Sequence, residues 1–112
     1  MTAYMISLLN PRNRDWFEDY LVNVPPLIRK YGGDYVAFSA KVKKLEGAIP
    51  APQQVAIFTF PSVQAIEDFM SCDEYQPWTK LRKANADAEL FIFEGDDAML
   101  QEARKSWAGG AG

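Results

Sequence analysis

A chain of 112 residues holds one domain and a single modest core. At 48% hydrophobic and 13% aromatic it is no disordered chain, and no apolar run approaches the ~20 residues of a membrane-spanning helix. Twelve basic against fifteen acidic side chains leave a net charge of −3, with nothing in the overall balance to attract phosphate backbones, so neither nucleic acid nor membrane is expected as a partner.

The elements follow in chain order. Ala3 to Leu9 is an apolar run that reads as a strand, ended by Asn10-Pro11. Asn13 is placed to cap a helix whose apolar positions Phe17, Tyr20, Leu21, Val24, Leu27, Ile28 and Tyr31 recur at steps of three and four. Pro25-Pro26 predicts a kink in it, and Gly32-Gly33 a left-handed cap and a turn. Tyr35 to Ala40 is the second strand. Lys41 to Gln54, with Gly47, Pro50 and Pro52, is too irregular for a tight hairpin, and its lysines 41, 43 and 44 read as a solvated edge.

Val55 to Phe60 is the third strand, and Ser62 then caps a helix with Val63, Ile66, Phe69 and Met70 as its buried stripe. Ser71 and Glu74 have capping-box spacing, and Pro77 is tolerable only in a first turn, so a further helix starts near Asp73 and runs to Ala86. Leu90 to Phe93 is the fourth strand. Asp96 or Asp97 caps a short terminal helix aligning Met99, Ala103 and Trp107, before Ala108 to Gly112 becomes a flexible tail; Trp107 is expected to dock on the body of the domain or, as the alternative, on a neighbouring subunit.

This order predicts an α+β fold, the ferredoxin-like βαββαβ sandwich with an antiparallel sheet and both helices on one side. Such a sheet should alternate apolar and polar residues. Here Val55 and Ile57 oppose Ala56, Phe58 and Phe60, while Leu90 and Ile92 oppose Phe91 and Phe93, so both faces are apolar. The chain has too little left to cover the second face, which predicts a homodimer through it.

The segments Val24-Pro25-Pro26, Lys30-Tyr31-Gly32-Gly33-Asp34-Tyr35, Leu45-Glu46-Gly47, Phe58-Thr59-Phe60-Pro61-Ser62, Asp73-Glu74-Tyr75-Gln76, Leu81-Arg82 and Phe93-Glu94-Gly95 together resemble the DUF1330 family in order and spacing. The resemblance spans about residues 3 to 95 and implies a dimeric α/β barrel, in which two subunits press open sheet faces together. Relatives in the wider superfamily include cofactor-independent monooxygenases, lactone isomerases and haem-dependent enzymes, and such kinship transfers the place of a pocket rather than a reaction. The domain is thus drawn as residues 1–95, with 96–112 a helix and tail outside the resemblance.

The chain has no histidine, which removes the commonest general base and the commonest metal ligand. With one cysteine, Cys72, no Cys/His zinc site, His-ligated haem or His-dependent triad can be assembled, and neither metal nor cofactor is expected. A single cysteine also fits a reducing cytoplasm, and Met1 to Asn10 lacks the marks of a signal peptide, so the location expected is cytoplasmic.

The pocket candidates are Tyr20, Tyr31, Tyr35, Tyr75, Trp78, Arg82 and Glu94. Tyr75, Trp78 and Arg82 share one helical face, which sets a cation near aromatic rings; the competing reading of Arg82 is an exposed arginine paired with a carboxylate. Glu94, beside Ile92, is a candidate carboxylate of raised pKa. Three functions stay open: a dimeric barrel binding an apolar or aromatic metabolite, with monooxygenase- or isomerase-like catalysis as one form of it; a non-catalytic dimeric interaction protein; and an RRM-like RNA-binding module. Gln53-Gln54 stands where the RNP1 pattern has a basic residue and glycine, which weighs against the last. Whether the protein is an enzyme is not written in the sequence.

Overall fold

The computed structural model describes residues 2–111, with side chains to Trp107. Strands β1 (Ala3–Pro11), β2 (Asp34–Ser39), β3 (Gln54–Phe60) and β4 (Ala86–Glu94) form one antiparallel sheet in the order β2-β3-β1-β4. Helices α1 (Phe17–Lys30), α2 (Val63–Ser71) and α3 (Gln76–Asn85) lie against one face, and α4 (Asp97–Ala111) follows the last strand. This is the predicted α+β ferredoxin-like architecture, with two further helices, α3 and α4.

The register sorts the strand residues. Met5, Ala56, Phe58 and Phe60 point under the helices and pack with Val24, Ile28, Ile66, Phe69 and Tyr75 in the main core. A smaller cluster of Leu9, Trp16, Phe17 and Ala86 closes the opposite end. On the other face Ile6 lies between Ile57 and Phe91, and Tyr4 between Thr59 and Phe93. No element covers that side among the described residues, and Phe91 and Phe93 are about half exposed.

Local chemistry accounts for most boundaries. Gly32 adopts φ +82°, and the Gly33 N–H reaches back to the Ile28 carbonyl at 2.9 Å, a helix end that only glycine enters without strain. The Ser62 hydroxyl accepts from the Ala65 N–H at 3.0 Å and caps α2. Asp96 does the same for α4 through the Met99 N–H.

Other expectations are corrected. Asn13 caps only the turn before α1, accepting from the Asp15 N–H, because its backbone carbonyl is engaged by the Trp16 indole; the helix begins at Phe17. α1 runs unbroken through Pro25-Pro26: the partners that the missing N–H groups would have had are Leu21 and Val22, both exposed, where water can serve their carbonyls. Ser71 and Glu74 form no capping box; the Ser71 hydroxyl donates back to the Glu67 carbonyl and Glu74 pairs with Lys30. A single 3-10 turn, Asp73–Tyr75, leads instead into α3.

β4 starts four residues earlier than its apolar run, because Ala86 to Glu89 pair with Pro11 to Leu8 and the ladder overrides weak strand propensity. α4 stays helical to Ala111, and of the expected tail only Gly112 lies outside the described residues. Trp107 does not dock on the body: it is 74% exposed, and Met99 and Leu100 are exposed with it.

Candidate functional site

Two adjoining cavities of about 50 and 40 Å³ lie between the helices and the sheet. Ser7, Tyr20, Tyr35, Phe58 and Arg82 line both. Each volume exceeds the ~10–15 Å³ that one water needs. Trp16, Phe17, Leu21, Phe38 and Gln54 also line the first, and its mouth is marked by its two exposed lining residues, Leu21 of α1 and Phe38 on edge strand β2. Tyr75, Phe69 and Val24 are among the residues that line the second.

A bulge builds one wall. Tyr35 pairs with Phe58 and Phe38 with Ala56, with an irregularity between Tyr35 and Ala37. In a regular strand residues three apart point to opposite faces; the extra residue, Val36, returns Phe38 to the helix side. The two rings stack there with centroids 6.0 Å apart and 10° between planes.

The polar groups of the cavities are unusual for a core. Arg82 of α3 is buried, 6% exposed, and its Nε has no hydrogen-bond partner; no carboxylate lines either cavity. Gln54, 5% exposed, has an unpartnered Oε1. The Tyr20 and Tyr75 hydroxyls lie 2.6 Å apart. Burial, aided by the neighbouring Tyr75, holds the Tyr20 hydroxyl well above its ordinary pKa, and burial pushes Tyr35 up to about 12. Both are therefore protonated donors at neutral pH, and one hydrogen of the Tyr20–Tyr75 pair is free for a third group.

Of the residues expected at a pocket, Tyr20, Tyr35, Tyr75 and Arg82 line these cavities. Arg82 as an exposed, paired arginine is not what the structure shows. Trp78 stands behind the wall, edge-on to Tyr20 at 6.4 Å. Tyr31, the residue that ends α1, packs on Phe69 and lines neither cavity. Glu94 is exposed at the end of β4, beside a shallow groove with Phe93 and Met99, so no burial acts on it. Ser7 and Gln54 escaped the sequence reading, although each is a polar residue at a core-facing position of an otherwise apolar strand. Phe38 was hidden by the bulge. Among the described residues no group of three or more His, Cys, Asp or Glu side chains is placed to hold a metal ion, and no helix is long and apolar enough to cross a membrane.

The topology and the helix-side cavities define a ferredoxin-like protein. Solved structures agree in fold. A protein of unknown function from Rhodopseudomonas palustris is 20% identical, with 85% of this chain and 82% of that one covered at a TM-score of 0.69. A dimeric ferredoxin-like protein of unknown function from Jannaschia sp. CCS1 is 13% identical over 85% and 100% of the two chains, with a TM-score of 0.65. SnoaB, a cofactor-independent oxygenase from Streptomyces nogalater, is 12% identical over 85% and 93%, with a TM-score of 0.62. No curated protein matches the chain in sequence. Residues 2–96 match the domain of unknown function DUF1330, and the chain belongs to that family.

Proposed function

We propose that this is a cytoplasmic homodimer, joined through the open face of the sheet, whose protomers each bind a small apolar or aromatic metabolite in the helix-side cavities. Residues 1–95 carry both tasks, and the appended segment 96–112 contributes α4. Binding is supported above all by buried polar atoms of Gln54 and Arg82 that line an aromatic-walled space and have no partner within the protein. A native core seldom leaves such groups unsatisfied without a use for them.

Dimerisation is supported by the apolar row Ile57, Ile6 and Phe91 on the face that no described element covers, and by the fold likeness to the dimeric protein from Jannaschia. Catalysis of the cofactor-independent monooxygenase or isomerase kind is the active form of this reading, and the fold likeness to SnoaB supports it. It would use the hydroxyls and the guanidinium described above.

The test is a thermal-shift screen of single-ring fragments on the wild type and on Ser7→Leu, which fills the shared wall of the cavities. Binders raise the wild-type melting temperature, by an amount equivalent to about 2.7 kcal/mol at a hundredfold excess over Kd, and do not raise that of the variant. Absence of any shift in the wild type at millimolar fragment would sink the proposal. Fragments that bind are then followed for oxygen uptake and for isomer formation.

A further inference from the structure

We infer that the cavity is an anion site in which Arg82 holds the carboxylate, or an equivalent flat oxyanion, of a small organic acid whose apolar body lies toward the mouth at Leu21 and Phe38. This rests on the reading that the cavity takes a small molecule, and it adds the charge of that molecule.

Three observations converge on it. A guanidinium keeps its charge at all physiological pH, and Arg82 is 6% exposed as a residue, with an unpartnered Nε and no carboxylate lining either adjoining cavity. The ion pairs among the described residues, Arg12 with Asp87 and Lys30 with Glu74, are both exposed and leave Arg82 alone. A charge taken out of water without a counter-ion weakens the fold, so a side chain held this way is better explained by a ligand than by stability.

The remaining walls fit the same partner. Tyr20 and Tyr35 stay protonated, so the Tyr20–Tyr75 pair has one O–H to offer and Tyr35 another, and the planar fork of Arg82 matches a carboxylate. No side chain of the lining is a base at neutral pH, so the ligand enters already ionised rather than being ionised there. The unpartnered Oε1 of Gln54 adds room for one hydroxyl or amine donor on that acid.

The experiment is titration calorimetry at constant ionic strength with benzoate, its neutral isostere benzamide, and inorganic phosphate, on the wild type, Arg82→Met and Arg82→Lys. Melting temperatures without ligand are recorded alongside. In the wild type benzoate should bind at least tenfold tighter than benzamide or phosphate. Arg82→Met should abolish that preference while Arg82→Lys keeps part of it, and ligand-free Arg82→Met should melt above the wild type. Equal binding of benzoate and benzamide, or a preference that survives in Arg82→Met, overturns the anion site and leaves the small-molecule cavity standing. Phosphate matching benzoate overturns the organic acid. An Arg82→Met protein that melts lower or does not fold marks a structural arginine and overturns the site, and binding of neither benzoate nor benzamide removes both readings.

Discussion

The two faces of one sheet carry nearly the same load of apolar side chains and have opposite fates. Under the helices, Met5, Ala56, Phe58 and Phe60 are buried. On the far side Ile6 and Ile57 sit side by side in the middle of the sheet, flanked by half-exposed Phe91. Hydrophobicity therefore does not say which face the chain covers for itself. The polar exceptions do. On the open face they lie toward the strand ends, at Asn10, Thr59, Asp87 and Glu89, and none of them is buried. On the helix side Ser7 and Gln54 sit in the interior with Arg82 above, aimed at a space rather than at partners. One face is built to meet a surface, the other to enclose a molecule.

The contrast can be broken most forcefully from the helix side. Phe69 is 1% exposed in the main core, and Phe69→Ala should cost about 3–5 kcal/mol in urea unfolding, whatever the protein concentration. A polar change on the open face should act differently. Ile57→Asp is expected to weaken self-association at least tenfold, about 1.4 kcal/mol, seen as protomers in sedimentation at micromolar concentration with secondary structure intact. A wild type that sediments as a protomer at that concentration would erase the distinction between the faces.

Smaller effects sharpen the comparison. A Cβ on Gly33 would stand 2.5 Å from Cε2 of Phe60 and 2.8 Å from Cγ2 of Ile28, so Gly33→Ala should cost about 1–3 kcal/mol through overpacking, with no change in sedimentation. A last effect is confined to alkali. Tyr35 ionises near its usual value when unfolded and at about 12 when folded, so the unfolded chain loses its proton first. Stability is then fully present below about pH 10 and falls as pH rises from about 10 toward 12. Tyr35→Phe should flatten that part of the pH–stability curve.

The strands, the three helices of the sandwich and the two-sided sheet were legible because period-two and period-three-to-four patterns report burial directly. Ser62 and Gly32 were legible because their roles are local. The cavity was only half legible. Tyr75 and Arg82 could be placed on one helical face by spacing alone, but nothing local says that Arg82 has no carboxylate beside it, since that depends on which strands face α3. Phe38 was out of reach for another reason: one inserted residue in β2 reverses the parity of all that follows, and Val36 looks like any other strand residue. Tyr31 and Glu94 stand at the ends of α1 and β4 and line neither cavity, which spacing along the chain does not reveal.

The three indoles of this chain stand in three different surroundings. Trp16 is 4% exposed, Trp78 is half-buried, and Trp107 projects on α4 at 74% exposure, from a molecule whose radius of gyration of 16.3 Å exceeds the ~13 Å of a compact domain of about a hundred residues. Iodide should therefore quench one fluorophore selectively while the other two keep emitting. Should a second copy come to rest against α4, the red-shifted component of the emission would move to shorter wavelength and lose its sensitivity to the quencher, an optical record of the arm's engagement that needs no label.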